Sequence, residues 1–297
     1  MWFLFTLITF FCWGIADLFY KKSNSEEYSH IKTGIIVGLV MGIHAIIYLI
    51  VKHVEINIID LLKYLPVSIF YISSMIIGYK GLRYLELSIS SPIQNTSGVI
   101  TSILLVIFFR EVLNIPTIIA FVLIFIGILI LSIIETKENK KEREKFKKNN
   151  SQKKVITLLI IFPLLYCLLD GAGTFLDAVY LDKLELISED TALVAYEFTF
   201  LIYGIISYIY LQAKKVSLNI FKEKNKISAA IFETSGQFFY VFAMSGNSTI
   251  SATVIGSYCI LSLLLSRIFL KEKLTKLQYI AIFLVISGII ILSFLDL

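Results

Sequence analysis

The sequence predicts an all-α membrane protein of ten transmembrane helices arranged as two inverted five-helix repeats. Three observations carry that expectation. First, 57% of the residues are hydrophobic and only 16% charged, with a mean hydropathy of +0.83, so most of the surface must meet lipid rather than water. Second, residues 89–132 and 250–293 align without a gap. Ile89 falls on Ile250, Glu111 on Glu272, Gly127 on Gly288 and Ser132 on Ser293. Each copy reads as an apolar helix, a tight turn with a basic residue before a glutamate, and a second apolar helix. Third, one charged stretch, ETKENKKEREKFKKNNSQKK at 135–154, separates five apolar spans from five more. An odd number per half obliges the second half to lie upside down relative to the first.

A helix needs about 20 mostly apolar residues to cross a hydrocarbon core about 30 Å thick. That ruler places spans at 2–20, 31–51, 62–82, 88–109, 114–134, 155–176, 190–212, 227–244, 249–270 and 275–295. The first has no charged leader and no small-residue cleavage site, so it is expected to be retained as a span. The second carries Gly34, Gly38 and Gly42 at every fourth residue, a close-packing seam. The third contains Pro66 and ends near Lys80 and Arg83, and the fourth bears a polar stripe of Ser91, Asn95, Gly98 and Ser102. The eighth is short. The resulting units are a first repeat at 1–134, a basic cytoplasmic linker at 135–154 and a second repeat at 155–297.

Lysine and arginine collect in the loops after odd-numbered spans, while the loops after even-numbered spans hold only Lys52, Lys63, Arg110 and Lys183. Asp177, Asp182, Glu185, Glu189 and Asp190 crowd the loop around Lys183. The positive-inside rule then puts the odd loops in the cytoplasm and both termini outside. The net charge of +5 belongs to that inner surface, and nucleic acid is not an expected partner.

Cys12, Cys167 and Cys259 have no paired or metal-ligand spacing, and the three histidines form no zincin pattern. No metal or cofactor is expected. Polar residues within spans are costly, so they are the best pointers to a pathway. Glu233, Gln237 and Tyr240 lie at i, i+4 and i+7, which lays an acid, an amide and a phenol along one stripe of the eighth span. A glutamate there that takes up and releases a proton would couple a carrier to proton movement. Trp13 and Asp17 in the first span align with Tyr166 and Asp170 in the sixth, an aromatic residue four before an acid in each half. Asp17 also stands one turn from Lys21, where an ion pair competes with a solute contact. Glu197, Asn95 and His44 complete the candidates for binding or coupling, each weighed against simple interhelical hydrogen bonding. A cavity of acids and aromatic rings favours a cationic or zwitterionic solute.

Ten spans in two halves, Trp13-Gly14 in the first span, and the repeated turns at Arg110-Glu111 and Lys271-Glu272 resemble the EamA family of the drug/metabolite transporter superfamily. The resemblance implies a secondary transporter that moves a small polar metabolite, such as an amino acid, by alternating access, commonly in efflux. The expected partners are that solute and the lipid bilayer, for a monomer or homodimer in a bacterial plasma membrane. The sequence departs from the family where a glycine usually precedes the turn glutamate, since Arg110 and Lys271 stand there. Gly98 and Cys259 occupy the place of a common proline, so the helix break it provides is expected to be absent or weaker. Relatives commonly have cytoplasmic termini, against the charge distribution here. The competing reading is a membrane-embedded enzyme acting on a lipid or isoprenoid, which would need clustered acids or a His and acid pair.

Overall fold

The computed structural model describes residues 1–23, 26–54, 57–83, 94, 96–146, 150–271 and 273–295, with the backbone alone described at 132, 135–146, 150–160 and 295. Ser91, Asn95 and Glu272 lie outside the described residues. In chain order the α-helices are α1 Trp2–Ser23, α2 Ser29–Lys52, α3 Ile58–Gly81, α4 Thr96–Phe109 and α5 Ile115–Phe146. They continue with α6 Asn150–Ala178, α7 Glu189–Ala213, α8 Lys224–Ile255, α9 Cys259–Leu265 and α10 Lys276–Leu295. Turns of π-helix, Val179–Lys183 and Ser266–Leu270, extend α6 and α9. Among the described residues seven helices are long and apolar enough to cross a membrane, and three shorter apolar ones lie at 96–109, 115–131 and 259–270. The chain is an integral membrane protein built as an all-α bundle.

The bundle is apolar on its outer face, as a lipid solvent requires, and its largely apolar interior also holds buried hydroxyls. Ile202, Ile206 and Ile209 of α7 are 57%, 61% and 62% exposed, whereas Thr6, Thr9, Ser68, Ser74 and Thr101 are fully buried. Several of those hydroxyls return a hydrogen bond to a backbone carbonyl of their own helix, including Thr6 to Trp2 at 3.0 Å and Thr9 to Phe5 at 3.0 Å. Pro66 and Pro163 sit inside α3 and α6 without ending either helix. Local caps set other boundaries. Asn57 accepts from the Ile59 amide at 2.9 Å to start α3, and Ser188 accepts from Thr191 at 3.3 Å to start α7, with Glu189 and Asp190 in its positive first turn.

The eighth helix is longer than its apolar run suggests. It begins at Lys224 and continues to a break at Asn247, whose φ of −165° and ψ of 88° are non-helical. The Asn247 carboxamide oxygen accepts from the Ile250 amide at 3.1 Å and so starts a second arm, 248–255. That arm is followed by a turn at 256–258 before α9 begins at Cys259. A helix break therefore exists beside Cys259 without a proline, against the expectation of an absent or weaker one. In the first copy α4 runs unbroken through Gly98. The loop expected around Lys183 is also shorter than it looked. Asp177 belongs to α6 and is fully buried, and Asp182 and Lys183 lie in the π-turn that prolongs it.

The main helix neighbours are α1 with α8, α2 with α7, α3 with α6 and α5 with α10. Lesser contacts join α3 to α7, α2 to α8, α4 to α6, α4 to α8 and α1 to α9. Their residue contacts fix chain direction. A Cβ at Gly127 would fall 2.5 Å from Val285 and 2.9 Å from the Ala281 carbonyl, and one at Gly288 would fall 2.7 Å from Ile124 and 2.8 Å from the Ala120 carbonyl. Later residues of α5 thus meet earlier residues of α10, so the two run antiparallel. The glycine seam of α2 packs on α7 in the same sense. A Cβ at Gly38 would lie 2.4 Å from the Phe200 carbonyl, while further along His44 meets Glu197 and Tyr48 meets Asp190. In the third such pair Gly98 approaches Gly256, and Ser102 donates to the Thr249 carbonyl at 2.8 Å.

Arg110 and Lys271 occupy equivalent places in the two copies and share a left-handed backbone, φ 53° and 58°. That conformation is the physical reason for glycine at this turn, because a side chain there costs about 1–2 kcal/mol. Replacing either by glycine is expected to stabilise the protein by about 0.5–1 kcal/mol. Thermal unfolding in detergent should then shift upward by about 2 °C, and a downward shift would assign the side chain a structural role.

Candidate functional site

Glu233 and Gln237 of the predicted stripe and the aligned aromatic-acid pairs converge on one chamber between the halves of the sequence. Its lining includes Trp13, Asp17, Tyr20, Tyr71, Tyr79, Gln94, Tyr166, Asp170, Tyr196, Glu233, Gln237 and Tyr258. The chamber holds about 50 Å³, and a second space of about 30 Å³ adjoins it, lined by Tyr240, Thr174, Ser97 and Gly98. A water needs about 10–15 Å³ by this measure, so there is room for a few waters and no more. The chamber uses the C-terminal halves of α1 and α3 and the early part of α8, which places it toward the end of the bundle that carries Lys21, Lys80 and Lys224.

Each acid is held by a hydroxyl from a different helix. Ser262 donates to Asp17 at 2.8 Å, Ser97 donates to Asp170 at 2.6 Å, and Tyr20 donates to Glu233 at 3.1 Å. Tyr79 in turn donates to the Tyr20 hydroxyl at 2.9 Å. Glu233 is 6% exposed and Gln237 3%. Lys21, the alternative partner for Asp17, donates to the Leu82 carbonyl at 3.0 Å.

The two aromatic walls are positioned in the same way. Trp13 lies against Gly236 of α8, where a Cβ would fall 2.4 Å from its ring, and Tyr166 lies against Gly78 of α3, where a Cβ would fall 2.9 Å away. Both glycines let a flat ring approach the partner helix closely. Trp13 also stacks on Tyr240 at 5.1 Å and 29°, and its indole N–H donates to the Glu233 carbonyl at 3.4 Å. Tyr240 shares a short hydrogen bond with Tyr71, which also donates to Thr174 at 3.1 Å.

Glu197 and His44 lie elsewhere. Glu197 is fully buried and meets His44 Nδ1 at 2.8 Å and 2.9 Å through its two oxygens. His44 faces an outer groove between α2 and α8 with Ile43, Ile47 and Phe238, so this pair joins helices apart from the chamber. Asn95 lies outside the described residues. The sequence reading missed Asp177, which accepts a short hydrogen bond from Tyr64. Its signal was present, since Asp170, Thr174 and Asp177 stand at i, i+4 and i+7 on one face of α6. It also missed Tyr20, Tyr71, Tyr79 and Tyr258, which no spacing rule separates from interfacial tyrosines.

At the opposite end of the bundle an ionic cluster ties three segments together. Lys183 meets Glu111 at 2.5 Å and Asp182 at 2.7 Å. Asp182 accepts from the Ser248 amide at 2.9 Å and its hydroxyl at 2.6 Å, and Thr249 donates to Glu111 at 2.9 Å. The cluster thereby fastens the turn after α4 and the π-turn after α6 to the second arm of α8.

Among solved structures, a crystal structure of a protein matches with a TM-score of 0.68 at 10% identity, covering 99% of this chain and 96% of that one. This likeness establishes a shared fold. No curated protein matches. The profile of the EamA-like transporter family matches residues 1–133 and 157–294, the apolar stretches on either side of the charged one. A match across nearly the whole sequence, on an all-α membrane fold enclosing a polar chamber, shows that the chain belongs to the EamA-like transporter family, whose members move small solutes across membranes and are not enzymes.

Proposed function

We propose that this protein is a secondary transporter that moves a small cationic or zwitterionic metabolite outward by alternating access, with Glu233 coupling the step to protons. The observation that carries this reading is the pairing of the helices. Residues 248–270 count as the ninth span and 224–246 as the eighth. Adding five to a first-half span and subtracting five from a second-half span then turns each of the helix contacts named above into another of them or into itself. The first with the eighth becomes the sixth with the third, the third with the seventh becomes the eighth with the second, and the first with the ninth becomes the sixth with the fourth. The spans that pair with their own counterparts, second with seventh, fourth with ninth and fifth with tenth, run antiparallel. Such self-pairing is what a two-fold axis in the membrane plane demands, and it supports two inverted halves.

In this mechanism the chamber of the present arrangement has room for a few waters only, and the Glu111–Lys183–Asp182 cluster fastens the outer end. Rocking of the halves opens the chamber by separating rings packed on glycine, with little backbone bending. Solute binding among the acids and proton uptake at Glu233 then oppose each other. The test is counterflow in proteoliposomes of the purified chain. Loaded amine or amino acid should exchange, and an imposed pH gradient should drive net movement. Binding without exchange would rule out a carrier, and exchange indifferent to pH would rule out proton coupling.

A further inference from the structure

The chamber's lining is unequal in charge. Asp17, Asp170 and Glu233 contribute three carboxyls, and the lining contains no lysine, arginine or histidine among the described residues. It also holds two amides, Gln94 and Gln237, 5% and 3% exposed, whose side-chain nitrogens have no hydrogen-bond partner among the described residues. A buried amide donor left unpaired costs free energy that a ligand oxygen would recover. A carboxylate brought to the same place would gain those donors but stand among three acids with no cation to offset it.

We propose that the solute is a small organic amine cation bearing an uncharged oxygen, such as an amino alcohol or amino amide, and lacking a free carboxylate. This rests on the carrier reading above and narrows it. The ammonium group sits among Asp17, Asp170 and Glu233, with Trp13 and Tyr166 offering ring faces. The hydroxyl or carbonyl oxygen accepts from Gln237 or Gln94. Discrimination against amino acids then comes from charge repulsion, and discrimination against plain alkylamines from the unpaired amides.

The experiment uses matched solutes with the full chain, in thermal stabilisation and in proteoliposome counterflow. Alaninol, sec-butylamine, alanine and isobutyrate form one series, and leucinol, its alkylamine, leucine and the matching carboxylate form a longer one. The amino alcohols should bind about tenfold tighter than the amino acids and about fivefold tighter than the alkylamines, with no binding of the carboxylates. Gln237→Leu should erase the advantage of the alcohol over the alkylamine while leaving amine binding in place. Gln94→Leu provides the same reading should the first variant fail to fold. Amino acids that bind as well as the alcohols, or amines that do not bind at all, would overturn the proposal. So would a hydroxyl preference that survives both glutamine substitutions. Amino alcohols that bind but never exchange would leave the solute class standing and defeat the carrier reading, whereas exchange confined to amino acids would do the reverse.

Discussion

Glu233→Gln is expected to lower efflux driven by a pH gradient by about tenfold or more, and to leave the remaining flux insensitive to pH. The substitution keeps an oxygen that can accept from Tyr20, now 3.1 Å from the carboxylate, so the local packing should survive. What it removes is the negative charge. A hydrogen bond to a charged group is worth about 1.5–3 kcal/mol, or roughly ten- to a hundredfold in affinity for a cation. The glutamine cannot exchange a proton at any relevant pH, so a coupled step becomes an uncoupled one. Flux measured between pH 5.5 and 8.5 in proteoliposomes would decide it. A profile parallel to that of the unmodified protein would make Glu233 a packing residue, held only by Tyr20 and the Trp13 contact to its carbonyl.

The second large effect is expected at Lys183→Met. The ammonium bridges Glu111 and Asp182, and the three side chains are only 15%, 23% and 19% exposed. Losing the shared cation leaves two carboxylates close together and partly out of water. Breaking a fully buried pair costs about 3–5 kcal/mol, and partial hydration here reduces this to about 1–3 kcal/mol. The chain should melt at a lower temperature, and the end that carries the cluster should open more often. In a chain with Cys12, Cys167 and Cys259 replaced by serine, Ala252→Cys reports on that opening, because Ala252 lines the inner space and is 2% exposed. Labelling by an impermeant maleimide from the side of the cluster should rise about tenfold. Combining Lys183→Met with Glu111→Gln and Asp182→Asn removes the stranded charges, so thermal stability should recover while labelling stays high. Unchanged labelling in both variants would make the cluster a strap with no part in access.

The membrane helices were legible in the sequence because lipid imposes a single rule on length and polarity, and the described helices lie near the spans that rule drew. The gapless duplication was also legible, and it reappears as Gly127 against Ala281 and Gly288 against Ala120, each residue displaced from its counterpart by the same number of positions. The break at Asn247 falls within 245–248, the gap that the length rule left between the eighth and ninth spans. Not legible was how the ninth span begins, with the Asn247 carboxamide accepting from the Ile250 amide. Within the chamber, acids at helical spacing were findable, since each is conspicuous in an apolar background. The tyrosines were not, because this chain has 16 of them and periodicity alone does not separate an inward phenol from one at a lipid headgroup. Asp177 was misplaced for a related reason. It stood next to other acids in the sequence and was grouped with them, although the helix carries it a full turn deeper. His44 and Glu197 were each visible as rare polar residues, but nothing in the order of the chain revealed that they belong to each other.

The charged stretch at 135–154 divides the polypeptide but not its thermodynamic unit. The principal neighbour of α1, α2, α3 and α5 lies in each case on the far side of that stretch, so neither segment has an interior to retain when the other is gone. Melting should accordingly be one concerted event, and a protease nick between α5 and α6 should leave two fragments that remain associated until the entire bundle comes apart.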